Sequence, residues 1–440
     1  MLVHPHSDHV AATMLGEPAS PYAMFQAEKE RHFREQLWQL HCHHWQHCPA
    51  YAALVQAQWP ALGKAAACVT NPASASAHTR AEPNEILACH TGIDHPPPNA
   101  KLWCEGHISG LDLAVQDLPF VAVRLFKQLK LQSIADADVF KVLQSSGTMG
   151  PPSRIVLDSA AAALQSRVLV NIMQHWLGKA RLPMLILDHP SVIKNRQQFS
   201  ARGAGIQGLS FMGRHHCYAL HDDMSLNMEA INQFCQQHGQ GPVLLFGFTF
   251  MVWRYVVQAL AQQQQQLSLP QGILLHSGGW KKLEQEAVAP EQFKQQVQQT
   301  LGLTRVHNFY GLVEQIGAVF VECEHGFLHA PSQADVIVRR PDSWQVADVG
   351  EAGVLQVLST LPRSYPGFSI LTEDRAVIHG VDDCSCGRKG RYFSILGRLP
   401  RAEVRGCSDT FNVEGGTAVV ANKGTAATVL ASDVAIGTTI

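Results

Sequence analysis

The sequence predicts an α/β fold, and three observations carry that expectation. Short apolar runs at Met184–Leu187, Val243–Phe246 and Ile273–Leu275 read as buried strands. Helical stretches at Ser159–Leu177, Met224–Gln237 and Pro290–Leu301 lie between them. Gly and Pro punctuate the borders. Strands alternating with helices favour a sheet covered by helices. With 440 residues, the chain is long enough for about two to four domains, or for one large α/β domain with appendages.

Taken in order, residues from about 20 to 60 read as helix, because Phe25, His32, Phe33, Leu37 and Leu40 recur near helical spacing. The segment His41–Tyr51 (HCHHWQHCPAY) sets His43 four residues from His47, and His44 four from Cys48. No acidic or further Cys partner is spaced to close a metal site there, so a polar helix end before Pro49 is expected. Residues 68–100 are rich in Ala, Ser, Pro and His and end in Pro96-Pro97-Pro98, which is loop chemistry and marks an insertion or arm. From about residue 118 the apolar runs begin. Val243–Ala261 is nearly all apolar, but Arg254 interrupts it, Pro242 opens it and it contains Gly247; a buried strand running into a helix is expected rather than a membrane span. Gln262–Gln266 reads as a solvated helix end. The tail beyond Phe411 is Gly, Ala, Thr and Val with almost no charge, which leaves strands and a weakly ordered tail both open. The expected division is a helical N-terminal region with a loop-rich insertion over 1–117, an α/β core over 118–397 and a short C-terminal segment over 398–440.

Composition excludes several functions. Hydrophobic residues make up 46% of the chain, so disorder throughout is ruled out. The 34 Lys and Arg against 36 Asp and Glu give a net charge of -2, with no basic footprint for nucleic acid and no polybasic membrane patch. The first residues carry His4, Pro5, His6 and Asp8 where a secretory leader needs an apolar run, so a cytoplasmic, reduced chain is expected. The 11 cysteines then read as core, ligand or nucleophile rather than as disulfides.

The chemistry-bearing motifs begin with Ser145-Ser146-Gly147-Thr148-Met149-Gly150 through Arg154, directly after the apolar Phe140–Leu143. Such a loop supplies backbone N–H groups, hydroxyls and close approach for a polyphosphate. It lacks the Gly-Lys-Ser/Thr ending of a Walker A loop, and on composition alone a plain turn is equally open. Asn308-Phe-Tyr310-Gly311-Leu-Val-Glu314, Gly350-Glu-Ala-Gly-Val, Leu371-Thr-Glu-Asp374 and Gly397-Arg398 follow in that order.

In this order the motifs resemble those of the adenylate-forming superfamily. The resemblance implies a phosphate loop at Ser145, Ser146, Gly147, Thr148 and Gly150, Tyr310 stacked on adenine beside Gly311, Glu314 holding Mg²⁺, Asp374 on the ribose hydroxyls, and Arg398 as a second ribose or phosphate contact. Met149 and Val313 replace two of the family's Thr residues, and Arg154 stands near its usual Lys. Within the superfamily, the chain is similar to acyl-protein synthetases of the LuxE type and then to phenylacetate-CoA ligase-like enzymes. The residues that carry this are Cys48–Tyr51, Leu118-Pro-Phe with Phe126-Lys127 and Leu131-Gln-Ser133, and Ser277-Gly278-Gly279-Trp-Lys281 after the strand that should end at the adenine pocket. The implied fold is an adenylate-forming N-terminal domain with a helical N-terminal region and a shortened C-terminal segment. Only about 40 residues follow Arg398, too few for the family's full lid. Lys423 has no supporting motif as the lid's catalytic Lys, so either adenylation proceeds without that Lys or another cation such as Arg154 or Lys281 substitutes.

Two sets of cysteines need separate readings. Cys323, His325 and His329 lie in VECEHGFLHAP, and Cys384 and Cys386 in DDCSCGRKG. Thiolates with imidazole suit four-coordinate Zn²⁺, while reduced surface cysteines remain open. Phenylacetate-CoA ligase-like proteins have similar Cys and His positions, and the resemblance implies structural Zn²⁺ on Cys323, His329, Cys384 and Cys386, with His325 in reserve. Cys407, in Arg405-Gly-Cys-Ser-Asp409, matches the cysteine that LuxE-type synthetases acylate, and Arg401 and Arg405 nearby would favour its thiolate; the other reading is a small buried hydrophobe.

The implied function is ATP-dependent activation of a carboxylic acid, a fatty acid foremost, as acyl-adenylate and then transfer to a protein thiol. Cys407, Glu314 and Arg154 form the implied catalytic set. ATP, Mg²⁺ and structural Zn²⁺ are the implied cofactors, and an acyl reductase or acyl-carrier protein is the implied partner. The alternatives are a CoA ligase and a catalytically silent zinc-containing binding relative. Phe246, Phe248, Phe250 and Trp253 lie where an acyl pocket belongs, although aromatics at this spacing also suit a core.

Overall fold

The computed structural model describes residues 20–70, 113–145, 152–193, 201–280 and 286–399. The helical N-terminal region is three helices rather than one: α1 (Gln26–His47), α2 (Pro49–Gln58) and α3 (Pro60–Thr70). Two prolines account for the division. Pro49 and Pro60 each open a helix, where a missing N–H costs nothing, and each keeps the residue before it out of helical geometry. Phe33, Leu37 and Leu40 on α1 are buried.

α1 ends at His47, before Pro49 as expected, with Gln46 and His47 exposed, but two of its histidines face inward. His41 and His44 are fully buried. His44 Nε2 donates to the Pro362 carbonyl at 3.1 Å and Ser133 Oγ donates to Nδ1 at 2.7 Å. Tyr51 OH donates to His41 Nδ1 at 2.8 Å. These imidazoles are hydrogen-bonding anchors, and both nitrogens of His44 are already used.

The core is one mixed sheet. Its parallel half runs in the order β5 (Gly213–Tyr218), β4 (Leu182–Ile186), β6 (Val243–Phe248), β7 (Gly272–Ser277), β8 (Arg305–Tyr310). The antiparallel half continues through β9 (Phe320–Glu322), β10 (Leu328–His329), β14 (Arg391–Arg398), β13 (Ser369–Val381), β12 (Ala352–Ser359) and β11 (Ala334–Arg339). A short β1 (Val121–Ala122), ahead of the one-turn α4 (Leu125–Gln128), pairs parallel with β13. The remaining strands, β2 (Lys141–Gln144) and β3 (Arg154–Leu157), form a separate antiparallel hairpin. The apolar Phe140–Leu143 run leads into this hairpin and is largely exposed, with Phe140 at 69% and Val142 at 43%.

Helices cover the parallel half, and their ends follow local chemistry. On α5 (Ser159–Leu177), the Asp158 carboxylate accepts from the Ala161 N–H at 2.8 Å and Gly178 (φ +85°) ends the helix. α6 (Ala201–Ser210) follows. α7 (Met228–His238) starts four residues later than its apolar pattern suggests, because Met224 closes a turn with φ +70° and Asn227 supplies the cap. After β6, α8 (Thr249–Met251), a π-helical turn over Val252–Val257 and α9 (Gln258–Gln262) run on continuously, and Arg254 pairs with Glu286 at 3.3 Å. Pro290 opens α10 (Pro290–Leu301) and Gly302 (φ +70°) ends it. Among the described residues no helix is long and apolar enough to cross a membrane.

Burial holds several imidazoles neutral: it pushes His41 and His307 down to about 4 and His276 to about 3, and it drives His44 well below 6.5. The unfolded chain therefore binds more protons than the folded one between about pH 6.5 and pH 4. Stability present above pH 6.5 should fall as the pH drops through that window, each group contributing up to about 1.4 kcal/mol per pH unit. Urea midpoints measured from pH 7.5 to pH 4.5 should show this decline, and a flat profile would contradict it.

Candidate nucleotide site and metal centre

In an open α/β sheet, ligands bind at the carboxyl ends of the parallel strands. Here β7 ends at Ser277 and β8 at Tyr310, and the pairing of Ser277 with Phe309 sets Gly278 and Gly279 beside Tyr310 and Gly311. Gly278 has φ +84°, a left-handed backbone that favours glycine. The Tyr310 hydroxyl donates to Asp374 Oδ2 at 2.7 Å, and burial together with Asp374 raises its pKa well above the usual tyrosine value. Asp374 pairs across β13–β14 with Arg398, whose Nε lies 3.5 Å from Oδ1. Thr372 Oγ accepts from the Asp374 N–H at 3.1 Å and donates to the Leu355 carbonyl, which fixes the carboxylate's backbone.

Glu314 lies in the turn after β8 and is 4% exposed. Its neighbour Gln315 pins that turn by donating to the carbonyls of Val357 and Gly367, at 3.2 and 3.0 Å. The site thus sets a buried carboxylate held by a phenol and a guanidinium, with glycines at the strand ends and a second buried carboxylate, Glu314, in the turn that follows Tyr310. Such a set can accept hydroxyl donors, hold a hard cation and admit a ligand close to the backbone.

At the base of the β2–β3 hairpin, Ser145 Oγ accepts from the Ser153 N–H at 2.9 Å. Arg154 donates to Gln132 Oε1 at 3.2 Å and, with Lys127 and Lys130, lines an open cavity of about 660 Å³. Ser146, Gly147, Thr148, Gly150, Lys281, Cys407 and Lys423 lie outside the described residues. Phe246, Phe248, Phe250 and Trp253 are all buried, and Phe248 packs so closely on α6 that a Cβ on Gly205 would stand 2.9 Å from its ring.

The second constellation lies in two turns. Cys323 and His329 flank the β9–β10 turn, and Cys384 and Cys386 sit in the β13–β14 turn. The pairing of His329 with Tyr392 brings the two turns together. The four donor atoms lie within 4.8 Å of one another, and Cys386 Sγ is 3.3 Å from His329 Nε2. Cys323, His329 and Cys384 are buried, and His329 Nδ1 is a buried nitrogen without a hydrogen-bond partner. Burial raises the Cys384 thiol to about 12 and lowers His329 to about 4. A soft divalent cation reverses the thiol shift, and bonds of about 2.0–2.3 Å need the donors to close only slightly, so the residues fit Zn²⁺. His325 is exposed and stands outside this group.

Sequence reasoning missed several groups around these sites. Gln315 and Thr372 act through backbone contacts that no spacing announces. Asp188, at the end of β4, pairs with the buried Arg202 at 2.9 Å, and Arg202 Nη2 lies 3.1 Å from His189 Nε2, which ties α6 to the sheet. Arg388 stands two residues after Cys386, and that proximity was the available signal.

A family model described as acyl-protein synthetase, LuxE, matches residues 107–414. The long-chain-fatty-acid–luciferin-component ligase of Aliivibrio fischeri is 20% identical over 315 residues, covering 69% of this chain and 80% of that protein. Among solved structures, 2-hydroxyisobutyryl-CoA ligase in an open conformation, in complex with 2-HIB-AMP and CoA, is similar with a TM-score of 0.54 and 14% identity, over 88% of this chain and 80% of that one. The same ligase in its postadenylation state gives 0.56 and 13%, over 88% and 72%. The fold is thus that of adenylate-forming ligases, and the chain belongs to the acyl-protein synthetase, LuxE, family.

Proposed function

We propose that the chain activates a carboxylic acid, a fatty acid foremost, with ATP and passes the acyl group to the thiol of Cys407. The observation that carries this reading is the Tyr310–Asp374–Arg398 contact at the carboxyl end of β8, in a chain of an acyl-protein synthetase family. The substrate carboxylate oxygen attacks the α-phosphorus of ATP, the bond to the departing pyrophosphate breaks, and an acyl-adenylate results. The Cys407 thiolate then attacks the acyl carbon, AMP leaves, and the protein carries a thioester. A covalent carrier divides one transfer into two easier ones.

In this reading Asp374 accepts the ribose hydroxyls, Arg398 offsets its charge, Tyr310 offers its ring to adenine, and Gly278, Gly279 and Gly311 let the base approach the backbone. The loop at Ser145, Ser146, Gly147, Thr148 and Gly150 donates to the phosphates, and Arg154 adds a positive charge. Glu314 would hold Mg²⁺, which neutralises phosphate charge when bound. Cys323, His329, Cys384 and Cys386 would hold a structural Zn²⁺ that fixes the two turns to each other. An acyl reductase or acyl-carrier protein is the partner that would take the acyl group. The second reading makes CoA the acceptor, supported by likeness in fold to a ligase solved with CoA.

Glu314→Ala should abolish most Mg²⁺-dependent pyrophosphate exchange while the chain stays folded. Asp374→Ala should weaken ATP binding through lost charge-assisted bonds worth about 1.5–3 kcal/mol each. Exchange at the parent rate in both variants would overturn these assignments. Metal analysis should find about one Zn²⁺ per chain, and Cys384→Ser should lower stability more than it lowers adenylation; a purified chain without zinc contradicts this. Cys407→Ser should keep adenylate formation and lose labelling by a radioactive acid. The parent's label should be released by neutral hydroxylamine, whereas labelling of the Ser variant, or turnover that needs CoA, would favour the second reading.

A further inference from the structure

We infer that Arg388 is an outer-sphere residue of the metal centre, one that neutralises its excess negative charge and ties it to the C-terminal end of α5. The inference rests on the zinc reading of the four-residue cluster. Three thiolates and a neutral imidazole around a divalent zinc leave one net negative charge in a largely buried place. A nearby cation offsets such a charge, and Arg388 supplies one in the turn that carries Cys384 and Cys386. Arg388 stands in the turn of Cys386, two residues further on; its Nη1 pairs with Glu324, the neighbour of Cys323, at 3.0 Å, and its Nε lies 3.2 Å from His175 Nε2.

The same guanidinium lies 4.0 Å from the centre of the Trp176 ring, an arrangement suited to cation–π attraction. Trp176 donates in turn to the Tyr22 hydroxyl at 3.0 Å, and the Tyr22 carbonyl accepts from the Lys389 N–H at 2.9 Å. One planar side chain thereby links the turn that carries Cys384 and Cys386, the turn that carries Cys323, and the last turn of α5. Lysine matches the charge but not this fork, because an ammonium is a point donor and cannot stack on a ring face while it holds these two partners. Arg388 is a positioning residue here: it holds the two ligand-bearing turns and contacts no reacting group.

The test reads metal retention rather than activity. The full-length parent, Arg388→Lys and Arg388→Met are purified with zinc, and zinc transfer to an excess of a coloured chelator is followed over time. Loss of such partners typically lowers metal affinity 10–100-fold, so Arg388→Met should release zinc about 10–100-fold faster and Arg388→Lys at an intermediate rate. If Arg388→Met does not fold, Arg388→Lys carries the test alone. Variants that melt earlier yet release zinc at the parent rate would overturn the inference and leave the zinc reading standing. A parent chain that carries no zinc at all would overturn both.

Discussion

The hydrogen bond from Tyr310 to Asp374 joins the two halves of the sheet, and the candidate nucleotide site depends on it. Tyr310 ends the last parallel strand, while Asp374 stands four strands further on in the antiparallel half. The contact exists because β8 pairs parallel with β7 on one edge and antiparallel with β9 on the other. That junction brings the glycine turn after β7, the Glu314 turn after β8 and the β13–β14 hairpin to one place. Burial of Asp374 would be costly without its phenol and guanidinium partners, and both partners are supplied by the elements that build the site.

The β13–β14 hairpin carries two kinds of chemistry on one rigid element. Asp374 and Arg398 face each other toward one end, and the turn with Cys384 and Cys386 closes the other, roughly 23 Å away along the strand. The N-terminal helix α1 grips the turn end. The Gln26 N–H donates to Asp382 at 3.0 Å, Lys29 donates to the Ala330 carbonyl at 3.0 Å, and Arg391 bridges Glu30 and Asp335. Lys29 is almost wholly buried, and burial lowers it to about 8. Removing an acceptor from such a set leaves a buried charge uncompensated, which costs more than the pair itself contributes.

Much of this was legible in the residues. Ser159–Leu177 and Pro290–Leu301 stand as helices with the bounds their caps and prolines indicate, and the three apolar runs are parallel strands. The four Cys and His positions named from two short turns meet in space, although nothing in their sequence distance requires it. Other features were not legible, for physical reasons. The apolar pattern of Phe140–Leu143 carries no information about whether a second layer covers it, and it forms an exposed hairpin. His41 and His44 look polar by composition but are buried, because each finds hydrogen-bond partners beyond its own helix. Gln315, Thr372 and Arg388 act through long-range contacts that a linear pattern does not encode.

The central claim is that this chain makes an acyl-adenylate. The measurement that reaches it most directly is exchange of labelled pyrophosphate into ATP by the full-length protein, across fatty, aryl and amino acids, with and without Mg²⁺. A chain that forms an acyl-adenylate should show exchange that requires both Mg²⁺ and a carboxylic acid, strongest for one class of acid. Exchange with no acid of the panel, in protein shown to be folded and to bind ATP, would contradict it.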